Sequence, residues 1–288
     1  MTEPAITVEH LTTKGRLPYS ALIARPREGS TPRGLLACVH GGGMTSGYFD
    51  SPVDADLSVL RAFAQGGFVA FAPDRPGYGD TPAQPHLDLD GQAEWLARCL
   101  DDLREGTGLD LPLGIVGHSL GSMVSVAFAA RYSAEMFALA VSGITAEYRL
   151  ERSVDVGPHS VGDQSPASDL WWGDRSLYPD GALSQKNRPT APVSLADRAV
   201  APYWSELVPA LAPSCQVPVQ AILGDADQWW EGGDNGLQKF AELFSAAPWV
   251  QVHEQPGAAH NMALGWAARP YALQVLSFVE NALAVHTL

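Results

Sequence analysis

The sequence predicts an α/β fold with a mostly parallel central sheet flanked by helices, and three observations lead to this class. Short apolar runs alternate along the chain with stretches of helical spacing. Most of these runs end in a turn that is rich in glycine or in polar residues. One run passes through Gly-His-Ser-Leu-Gly at 117–121 directly into a helix-compatible segment. Strands that alternate with helices form parallel sheets, and the functional loops of such sheets lie at the carboxyl ends of the strands.

The elements of the first half follow from this alternation. Two short strands, at 6–9 and 20–25, are expected at the edge of the sheet because turn residues bound them. Continuous apolar runs predict strands that are buried on both faces. These strands lie at 34–39, 68–72, 113–116 and 137–141. Apolar residues at helical spacing predict helices at 54–65, 91–105 and 124–132.

The alternation breaks between 142 and 212 and resumes afterwards. This segment is rich in proline and in aromatic residues, and it is too long for a plain connection and too aromatic for a solvated linker. We therefore expect a lid of helical and irregular structure at 145–212, inserted into a core formed by 1–144 and 213–288. The second part of the core has predicted strands at 217–223 and 249–253 and predicted helices at 235–246 and 263–283.

Composition limits the partners and the compartment. The chain has 288 residues, 46% of them hydrophobic, and a net charge of −14. This acidic balance argues against nucleic acid and against an anionic membrane, and we expect a small-molecule substrate for a monomer or homodimer. The sequence does not open with a basic segment followed by an apolar one, and no apolar run has the length of a membrane span, which favours a cytoplasmic protein. Cys38, Cys99 and Cys215 lie far apart without metal-ligand spacing, so we expect reduced core thiols, no metal and no cofactor.

Ser119 stands at the apex of the turn between a predicted strand and a predicted helix. A serine in Gly-x-Ser-x-Gly at such a place sits on a tight, strained turn that lifts its hydroxyl clear of the sheet. The same turn explains Gly117 and Gly121, because neighbouring backbone would clash with a Cβ at either position. Ser119 is therefore the candidate nucleophile. The alternative is a chance match in an ordinary loop.

The segment His40-Gly41-Gly42-Gly43 directly follows a predicted buried strand. Successive glycines let backbone N–H groups approach a ligand oxygen closely, although a flexible loop would also explain them. Beside a nucleophile, this loop would supply one N–H of an oxyanion hole, and Leu120, the residue after the serine, would supply the other. Gly42 is the preferred first donor. Gly43 and Met44 remain open as donors, and Gly43 is also expected to contact substrate.

Two carboxylates, Asp225 and Asp227, follow the predicted strand at 217–223. A carboxylate here could orient a histidine and stabilise the imidazolium. Asp227 is preferred because it lies farther along the loop from the strand end and can therefore reach a catalytic histidine more easily. Asp225 lies nearer the strand and could instead cap the turn. For both residues, an acid in a solvated loop is the alternative.

His260 is the candidate base, because it lies in a loop of small residues after the predicted strand at 249–253 and can point at the sheet edge. His253 is a competitor that lies inside the strand pattern. His40 and His118 flank other motifs, where packing or hydrogen bonding explains them. His159 lies in the expected lid, where it could meet substrate.

The candidate groups occur along the chain in the order Ser119, Asp227, His260, each after a separate strand. This order distinguishes the layout from other folds that use the same three groups. The turns that contribute to the pattern are at 40–43, 74–79, 117–121, 224–227 and 257–260. On these residues the chain resembles the α/β-hydrolase superfamily over about 34–144 and 215–285.

The resemblance implies the α/β-hydrolase fold, with the intervening stretch as its cap. In that family the acid usually follows a Gly-x-x pattern, which supports Asp227. The nucleophile is a serine and not an aspartate, which argues against haloalkane dehalogenase or epoxide hydrolase chemistry. Asp74 is then a structural turn residue, and Thr81 stands near the place of the family's usual serine.

The residues and the resemblance together predict a serine hydrolase that cleaves an ester or thioester through an acyl-enzyme. Trp172 and Trp229 are the expected substrate contacts, because aromatics in the lid and beside the acid suggest an apolar pocket for a bulky acyl group. Packing of the lid onto the core would explain these aromatics equally well. Arg75, Arg149 and Arg152 stand isolated, so the sequence indicates no site for a phosphate or carboxylate.

Other functions stay open at this point. A carbon–carbon bond hydrolase or a peptidase would use a similar triad, and a cofactor-free tailoring enzyme could cyclise or rearrange a natural product. A small-molecule receptor with weak hydrolysis is a further alternative from a different class. A purely structural protein is disfavoured, because the strained turn and its partners would then have no reason to occur in this order.

Overall fold

The computed structural model describes residues 6–149 and 168–286, and its centre is a single sheet. Within these ranges eight strands pair in the order β1-β2-β4-β3-β5-β6-β7-β8. The strands are β1 Val8–Thr13, β2 Tyr19–Ala24, β3 Gly34–Val39, β4 Phe68–Pro73, β5 Leu113–His118, β6 Met136–Ser142, β7 Val219–Gly224 and β8 Val250–Gln255. β1 and β2 are antiparallel to their neighbours, and all pairs from β4 to β8 are parallel.

Helices connect the parallel strands. The α-helices of the described ranges are α1 Val59–Gln65, α2 Leu89–Thr107, α3 Leu120–Tyr132, α4 Ser168–Trp172, α5 Leu195–Val200, α6 Trp204–Leu211, α7 Gly233–Glu242 and α8 Ala268–His286. The α/β class with a mostly parallel sheet is therefore confirmed. No helix in the described ranges combines the length and the apolar character that crossing a membrane requires.

The alternation of side chains along each strand divides the core between the two faces of the sheet. In β3, Leu35, Ala37 and Val39 join the cluster that contains the apolar residues of α2 and α3. Leu36 and Cys38 point to the other face and join the cluster that contains α1 and α8. Because both faces are covered, these strands consist of continuous apolar runs and do not alternate with polar residues.

The strand order places two glycine-rich turns side by side. β3 lies between β4 and β5, so the chain leaves the sheet in adjacent strands at the loop after β3 and at the turn after β5. Val39 at the end of β3 pairs with Gly117 near the end of β5. In open α/β sheets, such a reversal of strand order is where a binding crevice forms.

The first two strands differ from the expectation. The edge position predicted for the strand at 20–25 is wrong, since β2 is buried and lies between β1 and β4. β1 is the edge strand, and it runs farther than predicted, to Thr13. The cause is the hairpin at 14–18, which pairs β1 with β2 over six residues and thereby moves β2 inward.

Two predicted helices begin later than expected. The stretch at 54–65 contains a short 3₁₀ turn, Ala55–Leu57, and then α1, whose N-terminus is capped by the Ser58 side chain. The stretch at 263–283 likewise opens with a 3₁₀ turn at Met262–Leu264 before α8 begins. Helical spacing of apolar residues continues through both breaks, so periodicity alone does not reveal them.

The segment expected as a lid is partly described. Arg152 and His159 lie outside the described residues. Within the described part, Trp204 of α6 is fully buried in the cluster of α2 and α3, and its indole Nε1–H donates to the Thr145 carbonyl at 2.8 Å. The lid at 145–212 and the core of 1–144 with 213–288 stay predictions.

A pair of glycine substitutions tests the packing of α3 on β3. A Cβ on Gly121 would lie 2.1 Å from the Val39 carbonyl oxygen, so Gly121→Ala must displace backbone. We expect it to lower the free energy of unfolding by about 3 kcal/mol or more, as strong overpacking does. Urea denaturation measures this change.

Gly106→Ala in α2 is the matched control, because a Cβ there would meet nothing within 4 Å. We expect unchanged stability or a gain of up to about 1 kcal/mol, since alanine loses less entropy in a helix. Equal effects of the two substitutions would contradict the close approach at Gly121.

Candidate active site

Ser119 occupies the strained turn between β5 and α3. Its φ of 51° and ψ of −121° make it the one non-glycine residue with positive φ in the described chain. Its N–H donates to the Ser142 carbonyl at 2.7 Å, which ties the turn to β6. A Cβ on Gly117 would lie 2.7 Å from the Ser122 Cα, so this turn needs glycine as the sequence predicted. Strain of this kind persists where surrounding structure holds it, and it concentrates at functional sites.

The structure brings Ser119, His260 and Asp227 into one hydrogen-bonded chain. The Ser119 hydroxyl lies 3.0 Å from His260 Nε2, and His260 Nδ1 lies 2.8 Å from Asp227 Oδ2. With the carboxylate accepting from Nδ1–H, Nε2 is free to accept the serine proton. Asp227 and His260 are each 1% exposed and Ser119 is 8% exposed. Ser119 follows β5, Asp227 follows β7 and His260 follows β8, so each lies after a separate strand, as the sequence predicted.

The two candidate acids have different partners. Asp227 accepts a second hydrogen bond, from the Trp229 N–H to its Oδ1 at 2.8 Å, which helps to fix the orientation of the carboxylate. Asp225 is exposed, and its carboxylate accepts from the N–H groups of Gly257 and Ala258 at 3.0 and 3.1 Å. Asp225 therefore holds the loop that carries His260, while Asp227 contacts the imidazole itself.

The glycine loop lies directly against the serine turn. A Cβ on Gly41 would be 3.1 Å from the Ser119 Cβ, and one on Gly42 would be 3.5 Å from the Leu120 Cδ1. The Gly43 N–H donates to the Tyr78 hydroxyl at 3.1 Å and is thus already engaged. Gly42, the preferred oxyanion donor of this loop, therefore lies beside Leu120. The N–H of Gly43, an alternative donor, is instead bonded to Tyr78.

Two other histidines, His118 and His40, are buried close to these loops and are neutral. The His118 ring stacks on Tyr48 at 4.3 Å and lies 5.0 Å from the His260 ring. Burial, reinforced by His260, holds the pKa of His118 well below its ordinary value. Burial, with the positive charge of Arg75, does the same to the pKa of His40. His253, the competitor for the role of base, contacts the Gln274 side chain on α8 and not the serine turn.

Aromatic rings cover the histidine. The Trp171 ring lies 5.6 Å from the His260 ring and the Trp229 ring lies 6.1 Å from it, and the two indoles contact each other at 5.1 Å. Trp172, the residue expected to contact substrate, is buried against Tyr178. The rings of Trp171 and Trp229 thus lie beside His260 and the ring of Trp172 does not, while the prediction that Trp172 contacts substrate stays a prediction. The two tryptophans are adjacent in the sequence, and only the orientation of α4 shows which of the two rings faces His260.

The polar turn after β4 has a structural role. The Asp74 carboxylate accepts from the Ser20 hydroxyl and the Ser46 N–H, both at 2.6 Å, which agrees with its prediction as a turn residue. The Thr81 hydroxyl donates to the Asp74 carbonyl at 2.8 Å. These bonds join β2, the turn after β4 and the segment that follows the glycine loop.

The isolated arginines do not form an anion site in the described chain. Arg75 is paired with Asp197, a residue of α5 that the sequence analysis did not single out. The Arg149 Nε–H donates to the Trp230 carbonyl at 3.0 Å. In the part of the chain that the structure describes, no group of three or more His, Cys, Asp or Glu side chains could hold a metal ion.

The fold and the site together define a class of protein: an α/β protein with a Ser-His-Asp constellation at the carboxyl edge of its parallel sheet. Comparison with family models agrees, because residues 34–287 match the model of the alpha/beta hydrolase fold family. The chain belongs to this family.

Solved structures with the same fold include enzymes of several kinds. A thermostable carboxyl esterase from Bacillus coagulans superposes with a TM-score of 0.69 at 20% identity, covering 97% of this chain and 99% of that one. A soluble variant of monoglyceride lipase from Saccharomyces cerevisiae gives 0.67 at 14% identity, covering 98% and 97%. An epoxide hydrolase from Vigna radiata gives 0.61 at 17% identity, covering 96% and 98%. A comparison with curated proteins found no match.

The buried neutral state of His118 predicts a pH dependence of stability. Because the pKa of His118 is lowered on folding, the unfolded chain binds its proton below about pH 6.5 while the folded chain does not. The free energy of unfolding therefore falls as the pH decreases through this window. We expect His118→Gln to reduce the slope of this free energy between about pH 5 and 6 by up to about 1.4 kcal/mol per pH unit.

Urea denaturation of both proteins at several pH values measures the two slopes. The substitution also changes stability at pH 8, so the comparison uses the slope and not the absolute value. Equal slopes in the two proteins would contradict a neutral buried His118.

Proposed function

We propose that the protein is a serine hydrolase that cleaves an ester or thioester bond through an acyl-enzyme. The observation that carries this proposal is the continuous chain from the Ser119 hydroxyl through His260 to the buried Asp227 carboxylate, at 3.0 and 2.8 Å. A hydroxyl within hydrogen-bond distance of an oriented imidazole is the arrangement that activates serine as a nucleophile.

In the proposed reaction, Ser119 attacks the acyl carbonyl while His260 takes its proton. His260 then gives this proton to the leaving alcohol or thiol, which departs and leaves the acyl group on Ser119. Water, deprotonated by His260, then attacks the acyl carbonyl; the bond between the acyl group and Ser119 breaks, the acid leaves, and His260 returns the proton to the Ser119 oxygen. Asp227 holds the imidazole in the tautomer that both steps require and stabilises the imidazolium.

The oxyanion that forms at the carbonyl needs donors close to Ser119. We propose the N–H groups of Leu120 and Gly42, because Leu120 begins α3 directly after the nucleophile and Gly42 lies against its side chain. One such donor contributes about 3–4 kcal/mol to lowering the barrier, a smaller share than the nucleophile supplies but still a large factor in rate. The reaction uses protein groups and water alone, so we expect no cofactor.

The surroundings of His260 favour an apolar substrate. Trp171 and Trp229 cover the imidazole, and the nearby arginines are engaged within the protein. We propose a bulky apolar acyl group, with Trp229 among its contacts and the segment 145–212 as the lid over it. Among proteins of the same fold, the names of the carboxyl esterase and the monoglyceride lipase accord with an ester substrate.

Removal of the nucleophile is the direct test of this function. Ser119→Ala should lower turnover of short p-nitrophenyl esters by roughly 10⁶-fold, because the whole triad acts through this hydroxyl. It should also abolish labelling by a fluorophosphonate probe. Ser30→Ala, at an exposed serine in the loop before β3, is the matched control and should keep full activity and labelling.

The outcomes separate the candidate functions. Turnover that persists in Ser119→Ala would overturn the assignment of the nucleophile. A wild-type protein that binds small apolar ligands without turnover and without a burst of p-nitrophenol would favour a receptor over a hydrolase.

A second experiment tests which acid serves the histidine. Asp227→Asn should lower kcat by about 10³- to 10⁴-fold, because an amide at this place favours the wrong imidazole tautomer. Asp225→Asn is the matched variant, and we expect it to reduce kcat by less than about 10-fold, since it still accepts a bond in the loop. Steady-state kinetics on the same ester measures both. A larger loss in Asp225→Asn than in Asp227→Asn would reverse the assignment.

A further inference from the structure

A buried charged cluster lies beside the glycine loop, and the proposed mechanism does not use it. Arg75, from the turn after β4, pairs with Asp197 on α5 through two parallel bonds of 2.8 Å. Their side chains are 2% and 0% exposed. A buried ion pair often stabilises a fold no more than apolar residues of similar size would. Stability alone is therefore a weak explanation for this pair.

The Arg75 side of the cluster holds the peptide that joins Gly41 to Gly42. The Arg75 N–H donates to His40 Nε2 at 3.0 Å, and its Nε–H donates to the His40 carbonyl at 2.9 Å. Because Nε2 accepts, His40 carries its proton on Nδ1, which lies 2.9 Å from the Gly41 carbonyl oxygen. In a trans peptide the carbonyl and the following N–H point in opposite directions. The bond to the Gly41 carbonyl therefore opposes a flip of the Gly42 N–H.

The Tyr78 side of the cluster holds the next residue. The Tyr78 hydroxyl donates to Asp197 Oδ2 at 2.5 Å, and it accepts from the Gly43 N–H at 3.1 Å. It also accepts from the Ser194 N–H at 3.1 Å, just before α5 begins. Gly43 has a φ of 72°, in the left-handed region that glycine adopts readily. Gly42 is thus flanked by two residues whose backbone groups are held by the same cluster.

We propose that Asp197 is a positioning residue for the oxyanion donor at Gly42. Through Arg75 and Tyr78 its carboxylate sets the glycine loop before substrate arrives, and preorganised donors of this kind are the ones that lower a barrier. Asp197 lies on α5 in the segment 145–212. The packing of α5 on the core therefore controls the geometry of the proposed oxyanion hole. This inference rests on the proposed serine hydrolase function.

Tyr78→Phe is the most selective test, because it removes the hydroxyl while leaving the Arg75–Asp197 pair. We expect kcat for a p-nitrophenyl ester to fall by about 10- to 100-fold with little change in KM, since the loss falls on the transition state. The affinity for an alkyl trifluoromethyl ketone, which forms an oxyanion on the serine, should fall by a similar factor. Activity is normalised to the folded fraction from a thermal melt.

Tyr148→Phe is the matched control. Its hydroxyl is part-buried and donates within the segment 145–212, to the Ala201 carbonyl at 2.8 Å, and it lies outside the cluster at the glycine loop. It should leave kcat and the affinity for the ketone unchanged. If Tyr78→Phe does not fold, Arg75→Lys is measured in the same way, because lysine keeps the charge but loses the Nε–H bond to the His40 carbonyl.

The results separate this inference from the function on which it rests. An active wild-type protein in which Tyr78→Phe behaves like Tyr148→Phe would overturn the positioning role and leave the hydrolase function standing. A wild-type protein without Ser119-dependent hydrolysis or labelling would overturn both. If kcat and the affinity for the ketone fall by the same factor in Tyr78→Phe, and neither falls in Tyr148→Phe, the result would support the positioning role of the cluster that contains Asp197.

Discussion

The candidate site depends on the close approach of α3 to the end of β3. The backbone of Gly121 packs so tightly on the Val39 carbonyl that any larger residue must displace the strand or the helix. The contact places the start of α3, with Ser119 at its positive φ, beside the glycine loop. The close packing at Gly121 therefore brings the strained serine and the two candidate amide donors together.

Hydrogen bonds between neighbouring loops fix the rest of the candidate site. Ser119, Asp227 and His260 come from three strand ends, and each of their loops is tied to a neighbouring segment by backbone hydrogen bonds. Asp225 contributes by fixing the loop that carries the histidine. The geometry of the candidate site therefore depends also on residues outside the Ser-His-Asp constellation, as preorganised sites generally require.

The segment between β6 and β7 contacts the candidate site from two directions. Trp171 lies over His260, and its carbonyl accepts from the Asn261 side chain at 2.9 Å. Asp197 reaches the glycine loop from the other side through Arg75 and Tyr78. The described residues of this segment therefore contact both the histidine and the residues that hold the glycine loop.

The sequence alone determined the α/β class and most strand positions, and it singled out the three residues that the structure brings together at the candidate site, because these depend on local patterns. Apolar runs, a glycine pair around Ser119 and the order of acid and histidine are all read within a few residues. Tertiary structure decided the inner position of β2, the choice of Trp171 over Trp172 beside His260, and the pairing of Arg75 with Asp197. These depend on which distant segments meet, and Arg75 and Asp197, which lie 122 positions apart, share no periodic or motif signal for that contact.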